Sequence, residues 1–131
     1  MMKRFRSGVT GVLLVCALVL AAPALAKVIK GTAGDDKLIG TKTADKIIGR
    51  GGNDILRSSE GEDLVLGKAG NDFIKSGKGF DEIRAGSGDD EIHTRDGKPD
   101  QIQCGPGEDT VQADEVEDGV FDCEHVEVIP S

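Results

Sequence analysis

The chain contains no tryptophan and no tyrosine, and only four phenylalanines among 131 residues. So little aromatic surface excludes the large core of an ordinary globular domain of this length. Catalytic signatures are missing as well. There is no G-x-S-x-G and no H-E-x-x-H, and the two histidines, His93 and His125, lie far apart with no nucleophile motif beside them. Positive charge is scarce, with 16 Lys and Arg against 24 Asp and Glu, a formal net charge of −8. That balance disfavours nucleic acid as a partner. Glycine is not scarce: there are nineteen. An acidic, glycine-rich chain invites a disordered reading. What opposes it is an unbroken phase of apolar residues.

Asp36, Asp45, Asp54, Asp63, Asp72, Asp81 and Asp90 recur every nine residues, and after one extra residue the series resumes at Asp100, Asp109 and Asp118. Two residues after each stands an aliphatic side chain: Leu38, Ile47, Leu56, Val65, Ile74, Ile83, Ile92, Ile102, Val111 and Val120. Two residues before it stands glycine in seven of the ten units: Gly34, Gly52, Gly61, Gly70, Gly79, Gly88 and Gly107. A fixed short period over most of a chain points to a stacked-repeat architecture. Gly51-Gly52 and Gly77-Lys78-Gly79 are explained by this phase, and no helix follows them as a phosphate loop requires.

The glycine-rich half of each unit cannot hold a helix, since glycine costs about 1 kcal/mol per helical position. It can turn freely. The three residues that follow, such as Lys37-Leu38-Ile39 or Phe73-Ile74-Lys75, suit a short strand with its middle side chain on one face. Nine residues thus make a turn and a strand, and eighteen make a coil. Strands nine apart then lie in opposite sheets, and strands eighteen apart stack in one sheet with the aliphatic residues between. At about 4.8 Å per coil, five coils give a rod about 24 Å long.

The units, GRGGNDILR and GKAGNDFIK above all, resemble the G-G-x-G-x-D-x-U-x nonapeptide of the RTX, or haemolysin-type, calcium-binding family. The resemblance covers about ninety residues. It implies an all-β, right-handed parallel β-roll in which turn aspartates and loop carbonyls hold several Ca2+ ions between stacked turns. The residue chemistry agrees, because Ca2+ takes 6–8 oxygen ligands and two stacked turns can supply them where one cannot. The expected ligand positions are Asp36, Asp54, Asp72, Asp90 and Asp109 on one edge and Asp45, Asp63, Asp81 and Asp100 on the other, with Asp118 last. Gly34, Gly52, Gly70 and Gly88 shape the turns of the first edge. The other reading is that each Asp only braces its turn by local hydrogen bonds; ten in phase favour calcium.

Some units depart from the pattern. Thr43, Lys98 and Val116 replace the turn glycine, and the eighth unit is lengthened around Asp96-Gly97-Lys98-Pro99. These departures fall on the second edge, so the edge with Asp54, Asp72 and Asp90 is expected to carry the better sites. Cys104 opens the ninth unit and Cys123, by the same count, is the second residue of an eleventh, one coil on along the same edge and within the reach of a disulfide; two buried free thiols are the alternative. Residues 122–131 then read as a cap on the rod.

Residues 1–26 read as a signal peptide. Lys3, Arg4 and Arg6 form its basic end, Val12 to Ala22 its apolar centre, and Ala24-Leu25-Ala26 its cleavage site. A membrane anchor is the alternative, though the apolar run is short for a span. Cleavage would remove three cations and take the formal charge from −8 to −11. The roll proper spans 27–121. The expectation is a secreted, calcium-binding, non-catalytic protein with a structural or binding role and no membrane span after cleavage. The alternative is a surface adhesion protein recognising a partner through an outward face. For that, Ile48, Ile55, Leu64, Leu66 and Phe73 are candidates for an apolar patch in the middle coils.

Overall fold

The computed structural model describes residues 26–114 and 119–129. The expected signal peptide, apart from Ala26, and positions Val116 and Asp118 lie outside the described residues. Twelve strands follow one another: β1 (Lys27–Lys30), β2 (Lys37–Ile39), β3 (Asp45–Arg50), β4 (Ile55–Glu60), β5 (Leu64–Ala69), β6 (Phe73–Lys78), β7 (Glu82–Ser87), β8 (Glu91–Thr94), β9 (Gln101–Gln103), β10 (Thr110–Ala113), β11 (Gly119–Phe121) and β12 (His125–Val128). No helix occurs among the described residues.

The odd-numbered strands form one six-stranded sheet in the order β1-β3-β5-β7-β9-β11, and the even-numbered strands form the other, β2-β4-β6-β8-β10-β12. Every pairing is parallel. The chain therefore alternates between sheets and advances one strand at each return, which is a two-sheet β-solenoid of about five coils. The aliphatic residues stay in register along each sheet: Ile47, Val65, Ile83, Ile102 and Val120 in one, Leu38, Leu56, Ile74, Ile92 and Val111 in the other. The eight inner members are at most 1% exposed, whereas Leu38 and Val120, at the ends, are only partly buried.

Three features depart from the expected coil. The central strands run six residues rather than three. The added length carries a second inward position four residues after each Asp. It is small throughout: Gly49, Ser58, Gly67, Ser76, Ala85, Thr94, Cys104 and Ala113, all buried. At the glycines the cause is crowding by the carboxylate next along the chain and by the carbonyl of the following coil, which for Gly67 is Ala85, 2.4 Å from where a Cβ would stand. A Cβ on Gly49 would lie 2.4 Å from Asp54 Oδ2, and one on Gly67 2.5 Å from Asp72 Oδ2. Both distances are below any real contact, so these two positions cannot take a side chain without a shift of their neighbours.

The second departure is at the C-terminus. Val126, not a residue eighteen positions on, is the register partner of Val111, so the last coil is shortened to fifteen residues. Residues 125–128 continue the even sheet as a parallel strand, β12, exposed along its length. Third, the apolar outward residues do not form one patch. Ile48, Leu64 and Leu66 belong to the odd sheet, and Ile55 and Phe73 to the even sheet. They face opposite ways.

Candidate metal centre

The turns that leave the odd strands line one edge of the solenoid, and the turns that leave the even strands line the other. On the first edge the backbone N–H of Asp36 donates to Asp54 Oδ1 at 2.8 Å, Asp54 to Asp72 at 2.9 Å, Asp72 to Asp90 at 2.8 Å and Asp90 to Asp109 at 2.8 Å. The N–H of Asp109 donates to Glu124 Oε2 at 3.1 Å, so Glu124 takes the aspartate's place in the shortened coil. On the second edge the N–H of Asp45 donates to Asp63 Oδ1 at 2.7 Å, Asp63 to Asp81 at 2.8 Å and Asp81 to Asp100 at 2.8 Å. Each carboxylate after Asp36 thus uses one oxygen to hold the coil before it. This is a ladder between coils rather than the brace within one turn that a lone turn aspartate forms.

The second oxygen has a different fate at the ends and in the middle. In the first coil Thr32 donates its N–H and hydroxyl to Asp36 Oδ2, and Thr41 does the same for Asp45 Oδ2. From the second coil on, Asp54, Asp63, Asp72, Asp81, Asp90 and Asp109 have a buried Oδ2 with no hydrogen-bond partner. All six residues are at most 3% exposed. The same six have their acidity weakened. Burial, which disfavours the charged form, is the first cause in every case. It carries Asp72 and Asp81 up to about 7 and Asp90 to about 6. Repulsion from stacked neighbours, such as Asp90 and Asp54 around Asp72, adds to it, and the N–H of Asp54 opposes it. For Asp100, Ser76 donates its hydroxyl to Oδ2 at 3.2 Å.

The glycine turns before these aspartates pack closely, coil on coil. Gly70 has φ of 110°, and a Cβ there would lie 1.9 Å from the Gly52 carbonyl oxygen; at Gly88, φ 124°, it would lie 2.1 Å from that of Gly70. Glycine is required at both places, by conformation and by the neighbouring coil. Gly52 also has positive φ, whereas Gly34, in the first coil, does not. The first turn is held instead by Thr32, whose hydroxyl also accepts from the N–H of Gly34.

Sequence reasoning passed over two further elements. The first edge carries an outer ladder that runs the opposite way. Asn53 N–H donates to Asp35 Oδ1 at 2.7 Å, Asn71 to Asn53 at 2.9 Å, Asp89 to Asn71 at 2.9 Å and Glu108 to Asp89 at 3.0 Å. Its signal was the polar residue just before each ladder Asp. On the second edge the lengthened turn is pinned. Asp96 Oδ2 accepts from the Gly79 N–H at 2.7 Å, and Asp114 Oδ2 accepts from the N–H groups of Asp96 and Gly97.

Cys104 and Cys123 are joined by a disulfide, with Cα atoms 5.1 Å apart, at the corner of the last coil on the first edge.

Among the described residues no group of three or more His, Cys, Asp or Glu side chains gathers as a chelate. The carboxylates stand in single file, one per coil, so a cation with a full oxygen shell must draw on turn carbonyls as well. The residues meet that requirement: six inner turns combine an uncompensated buried carboxylate oxygen with a tight glycine turn. No curated protein and no solved structure matches the chain. The family model for the RTX calcium-binding nonapeptide repeat, in four copies, matches residues 30–65 and 66–98, just over half of the chain.

Proposed function

The chain belongs to the RTX calcium-binding nonapeptide-repeat family, and we propose that it is a secreted protein whose solenoid folds on several Ca2+ ions, with a structural or binding role and no catalysis. The observation that carries this reading is the set of six buried, unpartnered Oδ2 atoms at Asp54, Asp63, Asp72, Asp81, Asp90 and Asp109. Six such groups in so thin a core leave the metal-free fold with a large uncompensated electrostatic cost. A bound Ca2+ supplies the missing positive charge and fills its shell with the carboxylate and with carbonyls of turns such as those at Gly52, Gly70 and Gly88. Asp36 and Asp45 are the weaker ligands, because Thr32 and Thr41 already satisfy their second oxygen. Asp100 is a further ligand position on the second edge.

Secretion is supported by the N-terminal segment, read as a signal peptide, and by the disulfide, which persists in oxidising surroundings. Extracellular calcium suits sites of modest affinity. At a hundredfold excess over its dissociation constant, each filled site adds about 2.7 kcal/mol to the folded state. Far-ultraviolet circular dichroism tests the coupling. We expect the sheet signal to be lost in chelator and restored by calcium, with calorimetry giving more than one ion per chain. An unchanged sheet signal in chelator at pH 8 overturns it.

A further inference from the structure

The acidic edges flank an outer face of opposite charge. On the outward side of the even sheet, Arg57, Lys75 and His93 are register partners on β4, β6 and β8. Parallel register places them one strand spacing apart, about 4.8 Å. They line a groove of about 670 Å³, together with Lys78 and Arg95. Ser59 and Gly77, themselves in register and both at positive φ, also line it.

Like charges stacked directly across neighbouring strands repel. Yet none of Arg57, Lys75, Lys78 or Arg95 has an ion-pair partner among the described residues, in a chain with an excess of acid. On the odd sheet, by contrast, Arg84 is paired with Glu82 at 2.7 Å. Two carboxylates also line the groove. Asp96 is occupied by the N–H groups of Gly79 and Lys98. Glu60 is the register partner of Lys78. Four cations against these two carboxylates leave the groove two positive charges in excess, and Arg57 and Lys75, stacked in register, have no ion pair. His93 is held in place by Glu91 at 2.7 Å and by the Phe73 ring, 5.0 Å between centroids.

We propose that this groove binds a multivalent oxyanion, a molecule carrying sulfate or carboxylate groups about one coil apart. A single anion meets one cation of the row, whereas a molecule with several spans Arg57 and Lys75 together and relieves their repulsion. This is a binding site separate from the carboxylate ladders, on a face those ladders do not reach.

Calorimetric titration of the chain in saturating calcium tests it, with sucrose octasulfate as compact probe, dextran sulfate as polymeric probe and inorganic sulfate as the monovalent-site control. We expect octasulfate to bind at least tenfold tighter than inorganic sulfate, and Arg57→Gln/Lys75→Gln to lose at least tenfold in affinity. Lys30→Gln/Lys46→Gln, the same charge change on the odd sheet, should lose less than twofold. Circular dichroism in calcium checks that each variant is folded, and Arg57→Gln alone replaces the double variant if that one is not. A polymeric source shows as several chains bound along each dextran sulfate, and a compact source as one chain per octasulfate with no gain from the polymer; either supports the groove. No binding by any probe, equal losses in the two double variants, or equal affinity for inorganic sulfate and octasulfate overturns the proposal.

Discussion

The two edges of the solenoid are built from the same nonapeptide and are fastened differently. Both carry the inner carboxylate ladder, in which each Asp holds the N–H of the coil before it. Among the described residues only the first edge adds the outer ladder through Asn53, Asn71 and Asp89, in which each side chain holds the N–H of the coil after it. There, neighbouring coils are clasped in both directions, and half of the clasp is made by side chains outside the buried ladder. On the second edge the residue before each ladder Asp is Ala44, Glu62, Phe80 or Pro99, and the lengthened turn is tied by Asp96 and Asp114 instead. The rise in carboxyl pKa, however, does not follow the edges. It is greatest at Asp72 on one edge and Asp81 on the other, both in the middle of the rod. Register is therefore reinforced edge by edge, while the demand for a cation grows with depth from the ends.

The largest expected effect tests what the edges share. Gly88→Ala on the first edge and Gly79→Ala on the second place a Cβ 2.1 and 2.2 Å from a carbonyl oxygen of the previous coil, both at positive φ. Each should lose about 3 kcal/mol or more. Gly51→Ala, whose Cβ would meet nothing closer than 3.5 Å, should change little. Chemical denaturation in saturating calcium gives all three. A harmless Gly79→Ala would mean that the second edge is not packed coil on coil as the first is.

The disulfide ties only the first edge, at its last corner. Cys104→Ser/Cys123→Ser should lose about 3 kcal/mol by the loop-closure model, measured by the same denaturation, and the loss should fray the last coil before the middle. If hydrogen exchange shows β5 and β6 opening as early as β10 and β12, the corner does not act locally.

Depth along the rod is tested by pH and by charge. Burial pushes the Asp72 and Asp81 carboxyls of the metal-free fold up to about 7 from an ordinary 3.8. A raised folded pKa means that the native state binds more protons, so its contribution is fully present below 3.8 and is lost as pH rises through about 7. The metal-free chain should therefore gain sheet structure on acidification from pH 8 to pH 5, with protons standing in for calcium. Asp72→Asn keeps an acceptor for the ladder and removes the charge. It should stabilise the metal-free form at pH 8 and weaken calcium binding about tenfold, whereas Asp36→Asn, at the threonine-held end, should do neither to a comparable degree. Calcium titrations of both variants, followed by circular dichroism, decide between depth and uniformity.

Much of this was legible in the residues and some was not. The spacing of Asp and aliphatic positions determines strand order, sheet number and register, because only an eighteen-residue coil puts Ile47, Val65 and Ile83 in one row. The small inward column at Ser58, Ser76 and Ala85 was equally periodic. It is easily passed over because small residues look like turn residues until the strands are known to run on. The last coil is harder. A count of nine from Val120 leads to Ile129, and Val126 takes the inward row because Glu124 can substitute for the ladder Asp after a shorter turn. That substitution depends on side-chain reach. The division of the carboxylates into threonine-held and unpartnered ones rests on burial, a property of the stacked coils that no single unit contains.

The smallest expected effect is the sharpest test of the difference between the edges. Asn71 sits in the middle of the outer ladder: its N–H donates to Asn53 Oδ1 at 2.9 Å, and its own Oδ1 accepts from the Asp89 N–H at 2.9 Å. Asn71→Ala leaves the first of these and removes the second, on an exposed side chain where water can replace the lost acceptor. The loss should be about 1 kcal/mol. Glu62 holds the corresponding place on the second edge, is exposed, and takes no part in an outer ladder among the described residues. Glu62→Ala should fall within about 0.5 kcal/mol of the parent chain. Asn71→Asp separates the acceptor from the charge. It keeps an oxygen for Asp89 but sets a second carboxylate beside Asp72, so it should be nearly neutral in saturating calcium and destabilising in chelator at pH 8. Equal losses for Asn71→Ala and Glu62→Ala under matched denaturant would show that the outer ladder is geometry without energy, and that the two edges are fastened alike.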